Sequence, residues 1–169
     1  MILGDRHTFA VEVGVRDHAL CRVDLWAAGK WLTCDDNTAF VGQFRRAVLE
    51  TAGRLRSDGG SALPFDGLSP EATHRRLTLS AGADDETEAD HEFRSRFRAL
   101  DWGPTTDNVT AYLFGAGDRS VLTVQFLRKE HLPRHPEDAG EVFVAMIPTA
   151  EFVGILEALV SVLDGPSCP

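Results

Sequence analysis

The sequence predicts an α+β protein: an antiparallel β-sheet made of two β-meanders, each followed by a helix, with the helices packed on one face. Three observations carry that reading. Residues 7–32 and 109–147 contain runs in which apolar and polar side chains alternate, the period of a half-buried strand. Each set is followed by a stretch whose apolar residues recur at three- and four-residue spacing, as an amphipathic helix requires. Finally, 169 residues at 43% hydrophobic and 25% charged suit one domain, spanning residues 1–169, with a core of its own.

The elements follow in order. Residues 7–15 (HTFAVEVGV) place Phe9, Val11 and Val13 on one side of a strand. After a turn at Arg16 and Asp17, residues 18–27 (HALCRVDLWA) alternate again but slip phase once, which a β-bulge explains. Gly29 and Lys30 make a second turn, and residues 31–33 begin a short third strand. Asp35, Asp36, Asn37 and Thr38 are helix N-cap candidates. Phe40, Val41, Phe44, Val48, Ala52 and Leu55 then form an apolar stripe over residues 38–56, stopped by residues 57–60 (SDGG).

Ser69 before Pro70 predicts a short helix to about Arg76, and residues 77–79 (LTL) a short strand. Residues 84–92 (DDETEADHE) are densely acidic, and Arg94, Arg96 and Arg98 follow. A helix over residues 86–99 places the acids at its N-terminal end and the arginines at its C-terminal end, as the helix dipole favours. The second meander comprises residues 109–114, 120–127 and 141–147, with a glycine-rich turn at residues 115–118 and a polar loop at 128–140. The last helix begins at Pro148 and Thr149, carries Phe152, Ile155, Leu156, Leu159, Val160 and Leu163 inward, and stops at Gly165 and Pro166. The halves share a pattern and not residue identities, so a single sheet is expected rather than a duplication.

A net charge of −9, from 17 basic and 26 acidic side chains, argues against nucleic-acid binding and against docking on an anionic membrane. It suits a basic partner. Cys21, Cys34 and Cys168 are odd in number and lack C-x-x-C spacing, so neither a disulfide framework nor a thiolate zinc site is expected. The opening residues lack a basic segment followed by an apolar run, and no stretch is long enough to cross a bilayer, which places the chain in the cytoplasm.

Chemistry-bearing motifs are sparse. Gly115 and Gly117 join two strands and precede no helix, so they do not form a dinucleotide loop, and no cofactor is expected. His131 and His135 have metal-ligand spacing, but Pro133 and Pro136 break the helix that spacing needs. His91 with Asp84, Asp85, Asp90 and Glu92 lacks the order of a calcium loop. No G-x-S-x-G is present, and Cys21 and Cys34 lie in or next to apolar strand positions. No catalytic residue and no metal ligand is therefore assigned. Trp26, Trp31 and Trp102 lie at loop edges, where aromatic residues serve either as interface contacts or as caps on the core.

Residues 2–5 (ILGD), residues 8–12 (TFAVE) and the Gly29-Lys30-Trp31-Leu32 element before a helix resemble immunity protein family 42 of the bacterial polymorphic-toxin systems. That family's pattern opens I-G-D, then F-A-I, and continues to a Gly-x-W or Gly-x-x-W element. The resemblance covers mostly the N-terminal third. The polar stretch at residues 58–66 and the acidic run at 84–92 depart from the pattern. The resemblance implies an inhibitor that binds a cognate toxin domain, and it supplies no contact residues. On physical grounds, Asp84, Asp85, Glu86, Glu88, Asp90 and Glu92 are expected to meet a basic toxin surface such as that of a nuclease, with Trp102 as an aromatic anchor nearby. The alternatives are a small-ligand binder or small enzyme whose site forms only in three dimensions, and a homo-oligomeric structural subunit.

Overall fold

The computed structural model of the chain describes residues 1–58, 60–79 and 87–165. Two antiparallel sheets share one core. In the first, β1 (Ile2–Asp5), β2 (Phe9–Asp17), β3 (Leu20–Ala27) and β4 (Lys30–Trp31) follow in order, and β5 (Thr38–Phe40) also pairs with β3. The helix α1 (Val41–Asp58) follows directly. After α2 (Pro70–Leu79) and α3 (Glu88–Ser95), the second sheet runs β6 (Arg98–Ala99), β7 (Val109–Ala116), β8 (Arg119–Phe126) and β9 (Val142–Pro148), and α4 (Thr149–Asp164) ends the described chain. The α+β class and both strand-then-helix units are as the sequence predicts. The strands divide into two hydrogen-bonded sheets where a single one was expected.

Side-chain alternation explains the layers. On β7, Val109, Ala111 and Leu113 join the main core, whereas Tyr112 and Phe114 point the other way into a smaller cluster with Leu77, Phe97 and Val121. The main core takes Phe44, Val48, Ala52 and Leu55 from α1 and Phe152, Ile155, Leu156 and Leu159 from α4. These two helices cover one side, and α2 adds cover on the opposite side of the second sheet. Burial of both faces of β7 and β8 is why their central residues read as nearly continuous apolar runs.

Several local expectations are corrected. Residues 38–40 are strand β5, not helix: Thr38 Nα donates to Asp36 Oδ1 (2.8 Å) in a side-chain turn, and α1 has no acidic residue in its first turn. Residues 77–79 continue α2 and are not a strand, with Leu77 on its buried side. Ser69 does cap that helix, accepting from the Ala72 amide at 3.2 Å. The acid-led helix spans Glu88–Ser95 and gives way to β6 at Arg98. The bulge lies on β2, where Gly14 and Val15 oppose Arg22 alone between the pairs Val13↔Val23 and Arg16↔Cys21.

β1, which has no counterpart among the expected strands, gives the N-terminal motif its physical meaning. Gly4 has φ +84°, and a Cβ there would lie 2.3 Å from the Phe9 carbonyl oxygen and 2.8 Å from Ile155 Cδ1. Asp5 then closes the β1–β2 turn, its carboxylate accepting from the His7 amide at 2.8 Å.

His74 on α2 is wholly buried, its ring edge-on to Tyr112 (4.9 Å) and its Nδ1 2.8 Å from Thr123 Oγ1. Burial holds its pKa down to about 4, opposed by the Gln125 amide and reinforced by Arg75.

Two predictions follow from this packing. Gly4→Ala combines left-handed strain with a backbone clash and should destabilise by about 2 kcal/mol or more, whereas Gly53→Ala, exposed in α1 with open space at its Cβ, should stabilise by about 0.5–1 kcal/mol. Urea titration of both variants checks the opposite signs. For His74, the unfolded chain binds the proton more tightly than the fold does, so stability is full above the ordinary histidine pKa and falls as pH drops toward about 4. His74→Phe, keeping a ring against Tyr112, should remove about 2 kcal/mol of the stability lost between pH 7 and pH 4.5. Equal pH dependence in wild type and variant, by denaturant melts at both pH values, is the contrary result.

Candidate protein-binding surface

The outward face of the first sheet carries a group of aromatic and charged side chains that the core does not absorb. On β3, Cys21, Val23, Leu25 and Ala27 point into the core, and Arg22, Asp24 and Trp26 alternate outward. A two-residue turn, with Ala28 at φ 52° and Gly29 at φ 76°, reverses the chain so that Trp31 of β4 pairs directly across from Trp26. Both indoles are half-buried.

Asp24 organises this face. It is only 3% exposed, yet it accepts three side-chain donors: Trp31 Nε1 (3.0 Å) and Asn37 Nδ2 (2.9 Å) on Oδ1, and the Arg22 guanidinium (2.8 Å) on Oδ2. A carboxylate so buried is stable only because each oxygen is satisfied. The consequence is a fixed Trp31 ring. Gly14 lets the aliphatic stem of Arg22 lie across β2, since a Cβ there would come within 3.2 Å of that stem.

Cations surround the tryptophans. Arg6, from the β1–β2 turn, stacks over Trp26 with its guanidinium carbon 4.2 Å from the ring centre, and Arg134, from the β8–β9 loop, lies 5.5 Å over Trp31. Arg6 also pairs with Glu12 at 3.3 Å, and Lys30 with Asp138 at 2.8 Å. Beside Trp31 an open cleft of about 190 Å³ is lined by Cys34, Phe126, Leu132 and Arg134 among others.

The same corner brings Cys34, Asp35 and His131 together, which sequence spacing did not suggest. His131 Nδ1 meets the Asp35 carboxylate. The Cys34 thiol, however, donates to the His131 backbone carbonyl (3.6 Å) and not to its ring, and burial pushes its pKa up. A nucleophilic thiol needs the reverse of both. Cys21 is buried and raised for the same reason. His135 pairs with exposed Glu137 at 3.1 Å. Among the described residues no group of three or more His, Cys, Asp or Glu side chains is placed to hold a metal ion, and no helix is long and apolar enough to cross a membrane.

Of the contact residues expected from sequence, Asp84, Asp85 and Glu86 lie outside the described residues, as does Cys168. Glu88, Asp90 and Glu92 are exposed on α3. Asp90 is committed to helix capping: its Oδ2 accepts from the Thr87 amide (3.0 Å) and hydroxyl (2.6 Å), while its own amide donates to Thr87 Oγ1 (3.2 Å). Those bonds hold its pKa below the usual carboxylate range. Trp102 is only 2% exposed. Its ring packs edge-on against Phe9 and Phe44 and its Nε1 donates to Thr51 Oγ1 at 3.2 Å, so it is a core residue. It forms part of the wall of a second open cleft, about 400 Å³, with His91 and Ser95 of α3 and with Thr51 and Arg54 of α1.

The Arg22–Asp24–Trp26 face was legible as a period-two polar pattern on a strand whose other side is apolar. What the sequence lacks is the contribution of Arg6, Asn37 and Arg134, which only the fold brings there.

No family model matches the chain, and no curated protein matches it. Among solved structures, CdiI from Burkholderia dolosa, a contact-dependent inhibition immunity protein, has a similar fold. It superposes with a TM-score of 0.66 over 95% of this chain and 99% of that one, at 15% sequence identity.

The carboxylate of Asp24 sets a prediction of its own. Asp24→Asn removes the charge facing Arg22 and turns one acceptor into a donor against Trp31 or Arg22. It should destabilise by about 2 kcal/mol and shift the tryptophan emission as the Trp31 ring is released. Unchanged emission and stability in equilibrium unfolding would show that Asp24 does not fix the indole.

Proposed function

We propose that this chain is an immunity protein, which binds a cognate bacterial toxin domain and blocks it. The observation that carries the reading is the fold shared with CdiI along nearly the whole of both chains. A fold hosts many functions, so the likeness is joined here to surface chemistry. The outward sheet face is rich in Trp and Arg, the residue types that dominate protein-binding hot spots. The N-terminal resemblance to immunity family 42 points the same way.

The exposed carboxylates Glu88, Asp90 and Glu92, together with Asp84, Asp85 and Glu86, are proposed to face a basic surface of the toxin, such as that of a nuclease. Asp90 is in addition engaged in the Thr87–Asp90 cap. Trp102, itself only 2% exposed, forms part of the wall of the neighbouring cleft, and its proposed contact with the toxin is confined to that cleft.

The test is a growth assay. The C-terminal domain of the protein encoded immediately upstream is expressed with and without this chain. Toxicity relieved by the chain, with co-purification of the pair, is the expected outcome. Toxicity without rescue or binding sinks the reading. Glu88→Lys with Glu92→Lys, which spares the capping Asp90, should weaken binding about tenfold and flatten its salt dependence. Unchanged affinity in that double variant removes α3 from the contact surface.

A further inference from the structure

We infer that the outer edge of β9 pairs with the same edge of a second copy of this chain, joining the two second sheets antiparallel across a two-fold axis at Val144. The inference is independent of the immunity reading, which concerns a different partner.

The ladder defines the edge. The Thr149 amide donates to the Asp118 carbonyl at 2.9 Å, in the register that pairs β8 with β9. Antiparallel bonding alternates along a strand, so Phe143, Ala145 and Ile147 bond inward to β8. The N–H and C=O groups of Val142, Val144 and Met146 point to the opposite edge, where no described residue bonds to them. The other sheet edges are short or distorted. β4 and β6 have two residues each, β5 has three, and β1, with four, holds Gly4 at φ +84°. β9 is seven residues long, keeps an unbroken register with β8 and carries no charged side chain. Such an edge is a template for strand pairing unless something covers it.

A second copy fits because the edge is its own complement. A two-fold at Val144 sets Val144 against Val144 and Val142 against Met146, so each outward residue donates one bond and accepts one. Moved to Ala145, the axis sets Val142 against Pro148, which has no N–H. Moved to Phe143, it sets Met146 against Gly140, whose amide and carbonyl are already bonded to Phe126 and Gln125. The Val144 register also sets Phe143 against Ala145 on the inner face, a large side chain beside a small one. Charge argues for the same occupant. Chains of net charge −9 repel, and they meet most readily where contact needs no ion. Residues 142–147 are such a stretch, and Glu141 before them is paired with Arg75 at 3.3 Å. A partner chosen by charge finds nothing on this strand to attract it. The contact is one strand per copy, small beside the roughly 1,200 Å² of a standard interface, so association is weak and rises with concentration.

Sedimentation velocity of the full chain alone, from about 5 to about 500 μM, should show a monomer passing to a dimer. The dimer should strengthen between about 0.05 and about 0.5 M NaCl, as repulsion between acidic chains is screened. Hydrogen exchange by NMR should slow with concentration at the Val142, Val144 and Met146 amides and stay constant at Phe143, Ala145 and Ile147. Met146 is 51% exposed. Met146→Pro removes an N–H that β8 does not use, and Met146→Lys puts a charge on the edge; each should weaken the dimer at least about tenfold. Ile2→Lys, on β1, should leave it unchanged. A monomer at every concentration overturns the inference. A dimer that Met146→Pro and Met146→Lys both leave intact overturns this edge as its interface. Protection of the Val142, Val144 and Met146 amides that appears only with the upstream-encoded toxin domain overturns the second copy as occupant.

Discussion

Neither sheet can bury its inner face alone, and the joint between them is aromatic. Trp102 leaves β6 to lie edge-on to Phe9 of β2 and Phe44 of α1, and Phe9 in turn packs on Phe152 of α4 at 4.8 Å. One indole thus touches the first sheet and the helix that follows it, while its own strand belongs to the second sheet. Burying an aromatic side chain contributes on the order of 2–3 kcal/mol, and here the burial is shared across elements far apart in sequence. The indole N–H is satisfied by Thr51, so the joint carries no polar penalty. Everything outside this joint, including the tryptophan face on the far side of the first sheet, inherits its position from it.

That constraint also explains which parts of the fold were legible in the sequence. Strands β2, β3, β7, β8 and β9 and helices α1 and α4 declare themselves through periodicity, because each has one face in the common core and the pattern reports that face. The failures lie where tertiary pairing outvotes local preference. Residues 38–40 look like a helix start, but Ala39 completes the core beside Cys21 and the backbone pairs with β3 instead. Residues 98–99 look like a helix end, yet they supply the edge strand against which β7 closes. Residues 77–79 look like a strand because Leu-Thr-Leu alternates, and one buried leucine in a helix gives the same short pattern.

For the surface, the legible and illegible parts divide differently. The sequence flags aromatic residues at turns but does not say which face they take. Trp102 and Trp31 are alike in sequence context, each beside a glycine and a turn, and opposite in outcome. Trp102 follows Leu100, which adopts φ 55° and swings the chain inward so that the indole enters the core. Trp31 sits on a two-residue strand at a sheet edge, with a buried carboxylate waiting beneath it. A buried Asp in an alternating strand is the signal that separates them, because an ion there demands donors and so fixes whatever supplies them.

Placing Asp24 under the tryptophans has a cost that clarifies its role. A well-packed apolar residue at that position would stabilise the fold as well or better, since desolvation of an ion consumes most of what its bonds return. What the carboxylate supplies instead is geometry. It holds Trp31, Asn37 and Arg22 in one arrangement from three different segments. A fold built only for stability has no use for a rigid, half-exposed aromatic pair ringed by arginines. A fold built to be recognised does, because a partner that finds its contacts already in place binds without first ordering them. The Asp24 network thus fixes, before anything binds, the arrangement of side chains that this face presents.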